Sequence, residues 1–298
     1  MALASRLATL AMLSISLVEC FKVGNMRQRR RLVFGSQSTP SCCASTSSAE
    51  VGTITWASQY LSKKDAADVI ENILFPSNER SDRMVASGKA QGVTAGTAIS
   101  ASDPRLSCSY GEFPLGSFDE LLDIAMEYCS EPSQPMKVVD VGSGCGRLVM
   151  YASLSRGGVA VDGIEIAEEL HSVATRIQEK GVSEGYFAPP CGDKPGSSVA
   201  NLHLGTAEAL SAVLEESDII FAYSSAFRVG QDWNVELSAM VLGPEWSEML
   251  ANACRPGCIA ITTDRALDPV HGWDLVERKD VDNPEVLGST GFIHLLRK

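Results

Sequence analysis

The sequence contains no Cys-x-x-Cys pair and no group of cysteines and histidines with zinc-site spacing, so we predict no structural metal site. Cysteine is present nine times, and the six residues beyond position 50 are Cys108, Cys129, Cys145, Cys191, Cys254 and Cys258. We interpret these six as buried, reduced thiols, because no spacing among them is typical of metal ligands and the two closest flank a Pro-Gly turn. Reduced thiols are typical of a reducing compartment and disfavour secretion as the final destination.

The sequence also lacks an apolar run long enough to cross a bilayer, and residues 21–49 lack any acidic residue. Residues 1–20 combine Arg6 with the apolar run LATLAMLSISLV and predict a signal peptide. Residues 21–49 have the basic, Ser/Thr-rich composition of a transit peptide. This order resembles the two-part leader of algae with secondary plastids, in which a phenylalanine such as Phe21 follows the signal cleavage site. We therefore expect the mature protein in the plastid stroma, with no membrane partner.

Basic residues are scarce in the remainder of the chain. The formal net charge is −12, and because residues 1–49 contribute +5, residues 50–298 carry −17. A protein this acidic repels phosphate backbones, so we expect no nucleic-acid partner. The same charge suits a basic peptide or a cationic cofactor.

Regular alternation of strands and helices is predicted only from residue 106 onward. Before it, apolar spacing in residues 50–75 predicts a helix ended by Pro76, and residues 76–105 have the Gly-, Ser- and Ala-rich composition of a linker or mobile cover. The predicted strands are 137–141, 159–166, 201–206, 218–223, 258–263, 274–281 and 292–297. The predicted helices are 117–128 (capped by Ser117, with Glu120 three residues on), 144–155, 167–180 (closed by Gly181), 207–216 and 235–254 (interrupted at 243–244). This alternation predicts an α/β domain with a doubly wound, mostly parallel sheet that binds ligands at the carboxyl ends of its strands.

The first predicted strand runs into a glycine loop, VVDVGSGCGRLVMYAS (138–153). A phosphate loop would need Lys-Ser/Thr after its last glycine, where Arg147 and Leu148 stand, and a dinucleotide loop would need glycine at 147. The pattern is instead D-x-G-x-G-x-G, formed by Asp140, Gly142, Gly144 and Gly146. These glycines let the backbone approach a ligand that has no pyrophosphate, and the aspartate can meet an ammonium group. S-adenosyl-L-methionine has both features, so we predict it as the cofactor.

Two further places along the chain suit the nucleoside of this cofactor. Glu165 ends the next predicted strand, about 20 residues on, where a carboxylate can accept hydrogen bonds from both ribose hydroxyls. The third predicted strand runs into Thr206 and Ala207, which are candidates to border the adenine ring. Glu208 is either part of that border or a cap of the following helix.

The segment upstream of the loop indicates a particular family of cofactor-binding proteins. It reads SYGEFPLGSFDELLDIA (109–125). A Tyr-Gly-Glu tripeptide, a helix and then the glycine loop resemble the Dot-type (disruptor of telomeric silencing) histone-lysine methyltransferases, from about residue 108 to 227 and more loosely to 298. The resemblance implies a Rossmann-like class I methyltransferase fold, with a seven-stranded sheet and an antiparallel last strand. It also implies that Tyr110, Glu112, Asp140, Gly142, Gly144 and Glu165 bind the cofactor. With the rest of the glycine loop and the end of the third strand, the predicted cofactor-binding residues are Tyr110, Glu112, Asp140, Gly142, Ser143, Gly144, Gly146, Glu165, Thr206 and Ala207.

The chain departs from that family after its fourth predicted strand. The family has Asn-Asn-Phe-Ala-Phe lining the lysine channel, whereas this chain has Tyr223 and Ser224 in place of the asparagines. We take these two residues as the catalytic candidates, with Tyr223 as a channel wall or hydrogen-bond partner; a packed strand-end aromatic is the alternative. The basic extension that binds nucleosomes has no counterpart in this acidic chain.

Three functions therefore stay open at this point. The chain is a protein methyltransferase acting on a lysine, a small-molecule methyltransferase of the same fold, or a module that binds the cofactor without catalysis. In the first two functions the reaction is an in-line displacement. For such a reaction, positioning of the nucleophile and the methyl carbon matters more than acid–base chemistry. A lysine amine must first lose its proton, which an apolar channel favours by desolvation.

Overall fold

The computed structural model describes residues 60–90, 110–187, 200–227 and 232–297. Several predictions concern residues outside these ranges: the leader at 1–49, the start of the first helix at 50–59, part of the linker at 91–105, and the cysteines at 108 and 191. They stay predictions. No helix in the described ranges is long and apolar enough to span a membrane.

The strands of the described ranges are β1 (Met136–Val141), β2 (Val159–Glu165), β3 (Ala200–Leu204), β4 (Ile219–Ala222), β5 (Asp232–Asn234), β6 (Ala239–Val241), β7 (Ile259–Thr263), β8 (Trp273–Asp280) and β9 (Thr290–Leu296). Seven of them form one sheet, in the order β3-β2-β1-β4-β7-β9-β8, and β5 and β6 form a separate hairpin. The strands β1, β2, β3, β4 and β7 run parallel, and β9 is antiparallel to both of its neighbours. The predicted fold class is therefore confirmed, including the antiparallel last strand.

Helices cover both faces of this sheet, as a doubly wound fold requires. They are α1 (Lys63–Val69), α2 (Arg80–Ala90), α3 (Leu115–Tyr128), α4 (Arg147–Ser155), α5 (Glu168–Ser183), α6 (Ser211–Glu215) and α7 (Pro244–Ala253). Successive strand residues point to opposite faces. Val138 and Phe221 pack into a core cluster shared with α1, α3, α4 and α5, whereas Val139 and Ile220 pack into a second cluster shared with α6 and α7.

The residues predicted to be a linker contain a helix, which corrects the interpretation of 76–105 where it is described. Helix α2 follows a π-helical turn (Ile70–Leu74) and a 3-10 turn (Ser77–Glu79). Its buried residues are Arg83, Ala86, Ser87 and Ala90. They recur at helical spacing, but they are small or charged, so apolar periodicity could not reveal the helix.

The predicted helix 235–254 is wrong in its first half. Residues 232–241 form the β5-β6 hairpin, and only Pro244–Ala253 is helical. Leu237, Ala239 and Val241 alternate toward Phe292 with a period of two, which is strand spacing. Ser238, with φ of 48°, makes the turn before β6.

Several predicted helix ends also shift, and the helix predicted at 207–216 spans only Ser211–Glu215. Ser117 lies inside α3, which begins after Pro114, and its hydroxyl donates to the Asp282 carbonyl at 2.6 Å rather than capping the helix. Gly181 lies inside α5, which continues to Ser183. Helix α4 begins at Arg147, not at residue 144, because the glycines before it have positive φ.

Candidate functional site

The glycine loop leaves the carboxyl end of β1 and passes close to neighbouring elements. Gly142, Gly144 and Gly146 have φ of 80°, 56° and 76°, a region that side-chain-bearing residues rarely adopt. A Cβ on Gly144 would lie 3.0 Å from the Tyr110 ring, so a larger residue would strain both the torsion and the packing. The amide groups of Gly142 and Ser143 donate to the Ile164 carbonyl, which fixes the loop against the end of β2.

Glu165 ends β2 and holds this loop through its side chain. One carboxylate oxygen accepts from the Gly144 amide at 2.7 Å, and the other accepts from the Ala167 amide at 2.7 Å. The residue is 6% exposed, and burial raises the pKa of its carboxyl although the nearby backbone amides of Ala167, Gly144 and Ile166 oppose the shift. A carboxylate has about four acceptor positions, so two remain for ligand hydroxyls.

Asp140 is a buried carboxylate at the end of β1. It is 4% exposed and lines the cavity beside the glycine loop, where its carboxylate makes no hydrogen bond with the residues that the structure describes. Burial, with a smaller contribution from the nearby Glu165, raises its pKa to about 8. A buried, unpaired carboxylate is costly, and a cationic ligand group beside it would offset that cost.

Two cavities flank the glycine loop and meet at Gly142. The first lies between the loop and the Tyr-Gly-Glu segment, and its lining includes Tyr110, Asp140 and Tyr223. The second lies at the carboxyl ends of β2 and β3, and its lining includes Thr206, Ala207 and Trp246. Asp140 lines the first cavity and Trp246 the second, while Glu165 lines neither and holds the loop through the Gly144 amide.

The Tyr-Gly-Glu segment forms the wall of the first cavity. The Tyr110 hydroxyl donates to Glu112 at 2.9 Å, and Arg83 of α2 donates to the same carboxylate oxygen at 2.6 Å. Burial works against the charged carboxylate, but the hydrogen bond from Arg83 lowers the pKa of Glu112 below its usual value. Arg147, the first residue of α4, donates to the Phe113 carbonyl at 2.9 Å and so holds the other end of the segment.

The second cavity contains the predicted adenine border. Ala207 is 7% exposed, and the Thr206 hydroxyl accepts from the Ala209 amide at 3.1 Å. Thr206 therefore makes the local turn, whereas Glu208 is exposed on the cavity lining and does not cap α6 through its side chain. Trp246 of α7 closes the far side and stacks on Phe227, with ring centroids 4.2 Å apart.

Tyr223 follows β4 and faces the first cavity. Its ring centroid lies 5.1 Å from that of Phe113, and its hydroxyl accepts from the Asn283 side chain at 3.2 Å. Burial, together with the negative charges of Glu285 and Asp264, raises the pKa of its hydroxyl, opposed by the Asn283 hydrogen bond. Tyr223 thus stays neutral and can serve as a wall or a hydrogen-bond partner.

Ser224, the second catalytic candidate, points away from the cavity. It is fully buried, its hydroxyl donates to the Thr263 carbonyl at 2.6 Å, and it accepts from the Thr263 amide at 2.9 Å. Both bonds join the end of β4 to the end of β7. The structure therefore gives Ser224 a structural position rather than a catalytic one.

Sequence reasoning missed several residues that shape this site. They are Arg83, Arg147, Trp246, Asn283 and Glu285. Among these five, only Arg147 could be identified from the local sequence, because it directly follows the last glycine of the loop. The other four come from distant elements, and no spacing in the sequence relates them to the glycine loop.

No protein-family model and no curated protein match this sequence. Among solved structures, an RNA methyltransferase from Salinibacter ruber in complex with S-adenosyl-L-homocysteine is 18% identical, covering 63% of this chain and 95% of its own, with a TM-score of 0.40. TrmN from Thermus thermophilus is 17% identical, covering 70% of this chain and 53% of its own, with a TM-score of 0.38. A ribosomal protein methylase from Lactobacillus delbrueckii subsp. bulgaricus is 13% identical, covering 62% and 81%, with a TM-score of 0.38. At these identities and scores, none of the three assigns a substrate to this chain.

Proposed function

We propose that this protein is an S-adenosylmethionine-dependent methyltransferase. The observation that carries the proposal is the buried Asp140 carboxylate, which makes no hydrogen bond with the described residues and lines the cavity beside the glycine loop that Glu165 holds. The site lies at the carboxyl ends of β1 to β4, where doubly wound sheets bind their ligands. The methyltransferases of similar fold are consistent with this proposal but do not carry it.

Each part of the cofactor would contact residues of matching chemistry. Asp140 would meet the ammonium of the methionine moiety, and the two remaining acceptor positions of Glu165 would take the ribose hydroxyls. Ala207 and Trp246 would enclose the adenine. Once bound there, the cofactor would supply a methyl group on a sulfonium sulfur. A nucleophile would attack the methyl carbon in line with the carbon–sulfur bond, and the sulfur would leave as the neutral thioether.

For the acceptor, we propose the side-chain amine of a lysine in a protein. Tyr223 lies under the negative potential of Glu285 and Asp264, and residues 50–298 carry a net charge of −17. Negative potential attracts a protonated amine and repels RNA phosphates. The aromatic wall of Phe113 and Tyr223 would then desolvate the amine and favour loss of its proton. We keep the plastid stroma as the proposed compartment.

The deciding experiment incubates the full chain with an algal plastid extract and methyl-tritiated S-adenosylmethionine. Label is separated into protein, RNA and small-molecule fractions, and an Asp140→Asn variant serves as the inactive control. Label in a protein band, mapped to lysine by mass spectrometry, supports the proposal. Label confined to small molecules or to RNA contradicts the protein acceptor and retains the methyltransferase.

A second variant examines Tyr223 in the same assay. Tyr223→Phe keeps the ring contact with Phe113 and removes only the hydroxyl. We expect about tenfold slower transfer with unchanged cofactor affinity, since a positioned hydrogen bond is worth about 1 kcal/mol or more. Binding of the cofactor by wild type without any transfer would favour the third function, a module that binds it without catalysis.

A further inference from the structure

Helix α2 lies outside the sheet and contacts the Tyr-Gly-Glu segment (residues 110–112) through Arg83. Arg83 is 3% exposed, and its Nε donates to Glu112 at 2.6 Å. The same carboxylate oxygen accepts from the Tyr110 hydroxyl at 2.9 Å, and the Tyr110 ring would lie 3.0 Å from a Cβ on Gly144. A continuous series of contacts therefore joins Arg83 to the glycine loop.

The Arg83 guanidinium is itself held on its other sides. Its NH1 group donates to the Pro76 carbonyl at 3.5 Å, and the guanidinium carbon lies 5.6 Å from the centre of the Phe75 ring. These residues form the turn between α1 and α2. The planar guanidinium is thus held in place by the turn that precedes its own helix. Because it is already ordered, it loses little conformational entropy when it forms the hydrogen bond to Glu112.

A neighbouring arginine offers a contrast on the same face of α2. Arg80 lies three residues earlier, its side chain is 50% exposed, and its Nε is 3.6 Å from Glu112. Its closer partner is Glu285, at 2.5 Å. Exposed pairs of this kind contribute little. Without Arg83, Glu112 would keep the Tyr110 hydrogen bond and the longer Arg80 contact, but it would lose its short charge-assisted hydrogen bond.

We infer that Arg83 is a positioning residue for cofactor binding, which acts through Glu112 to hold Tyr110 against the glycine loop. The inference rests on the proposed function. It assigns a role in the site to a helix that contributes no residue to the glycine loop or to the strand ends.

The test is calorimetric titration of the full chain with S-adenosylhomocysteine. Arg83→Met should weaken binding about tenfold or more, because it leaves the Glu112 carboxylate, whose side chain is 13% exposed, without the charge-assisted hydrogen bond from the guanidinium. Arg83→Lys keeps the charge but not the guanidinium geometry, so it should recover part of the loss. Arg80→Met removes an exposed arginine 3.6 Å from the same carboxylate and should weaken binding less than Arg83→Met does.

A double-mutant cycle with Glu112→Gln separates positioning from general stability. If Arg83 acts through Glu112, Arg83→Met should add little to the loss already caused by Glu112→Gln. Arg156→Met is the matched control for loss of a buried arginine. Arg156 pairs with Asp119 and Asp123 between α4 and α3, so its loss should lower the melting temperature and leave affinity unchanged.

Each outcome has a distinct meaning. Weak binding by Arg83→Met, partial rescue by lysine and a non-additive cycle support the inference. Equal affinity of Arg83→Met and wild type, or additive losses in the cycle, overturn it. If Arg83→Met does not fold, the lysine variant carries the same cycle. No binding by the wild-type chain would overturn the proposed function, and this inference with it.

Discussion

The Glu165 carboxylate accepts a hydrogen bond from the Gly144 amide at 2.7 Å, which ties the end of the second strand to the glycine loop that follows the first. We expect Glu165→Gln to weaken S-adenosylhomocysteine binding by about 1–3 kcal/mol, because an amide cannot accept from both backbone groups and both ribose hydroxyls. Calorimetry measures the change. Glu168→Gln, three residues on and exposed, is the control and should bind like wild type.

Asp140 should couple cofactor binding to proton release. Its pKa of about 8 means that the carboxyl is mostly protonated at pH 7, whereas an ammonium beside it favours the ionised form. Binding at pH 7 should therefore release up to one proton from this group, and its contribution to affinity should rise with pH until about pH 8.

Calorimetry in two buffers of different ionisation enthalpy counts the protons released. Asp140→Asn should bind weakly and lose the proton release assigned to this group. A wild-type proton count of zero at pH 7, or an equal count in the asparagine variant, would contradict the assignment. Glu168→Gln again serves as the neutralised control, since it removes an exposed carboxylate near the same strand ends.

Ser224 should matter for stability and not for catalysis. Ser224→Ala removes both hydrogen bonds to the Thr263 backbone, and we expect a loss of about 1–3 kcal/mol in the free energy of unfolding. Denaturant titration measures this loss, while cofactor affinity should stay at the wild-type value. Reduced affinity at full stability would instead return Ser224 to the functional site.

Trp246 should report cofactor binding by fluorescence. It lines the second cavity and stacks on Phe227, so a ligand there changes its surroundings directly. We expect S-adenosylhomocysteine to change the intrinsic fluorescence of wild type and of Trp233→Phe, but not of Trp246→Phe. Trp233 is a suitable control because it is 60% exposed on the β5-β6 hairpin. A signal that survives in Trp246→Phe would contradict the position assigned to the adenine.

Patterns local in the chain predicted the central features of the fold correctly. The alternation of strands and helices predicted the doubly wound sheet because side-chain burial repeats with a period that each element imposes. The same reasoning fails for α2, whose buried positions are arginine, alanine and serine, and for 235–241, which it assigns to a helix although the apolar residues alternate with a period of two. Apolar periodicity identifies only those elements that bury apolar side chains.

By itself, the sequence determined the glycine loop, Asp140 and Glu165, since the torsions of the loop and the lengths of two strands place them at one edge of the sheet. Only the tertiary structure decided which distant residues complete the site. Arg83 reaches Glu112 across 29 positions, and Asn283 reaches Tyr223 across 60. The tertiary structure also decided that the Ser224 hydroxyl bonds to the Thr263 backbone. Such contacts depend on how separate elements pack, and no spacing along the chain encodes that packing.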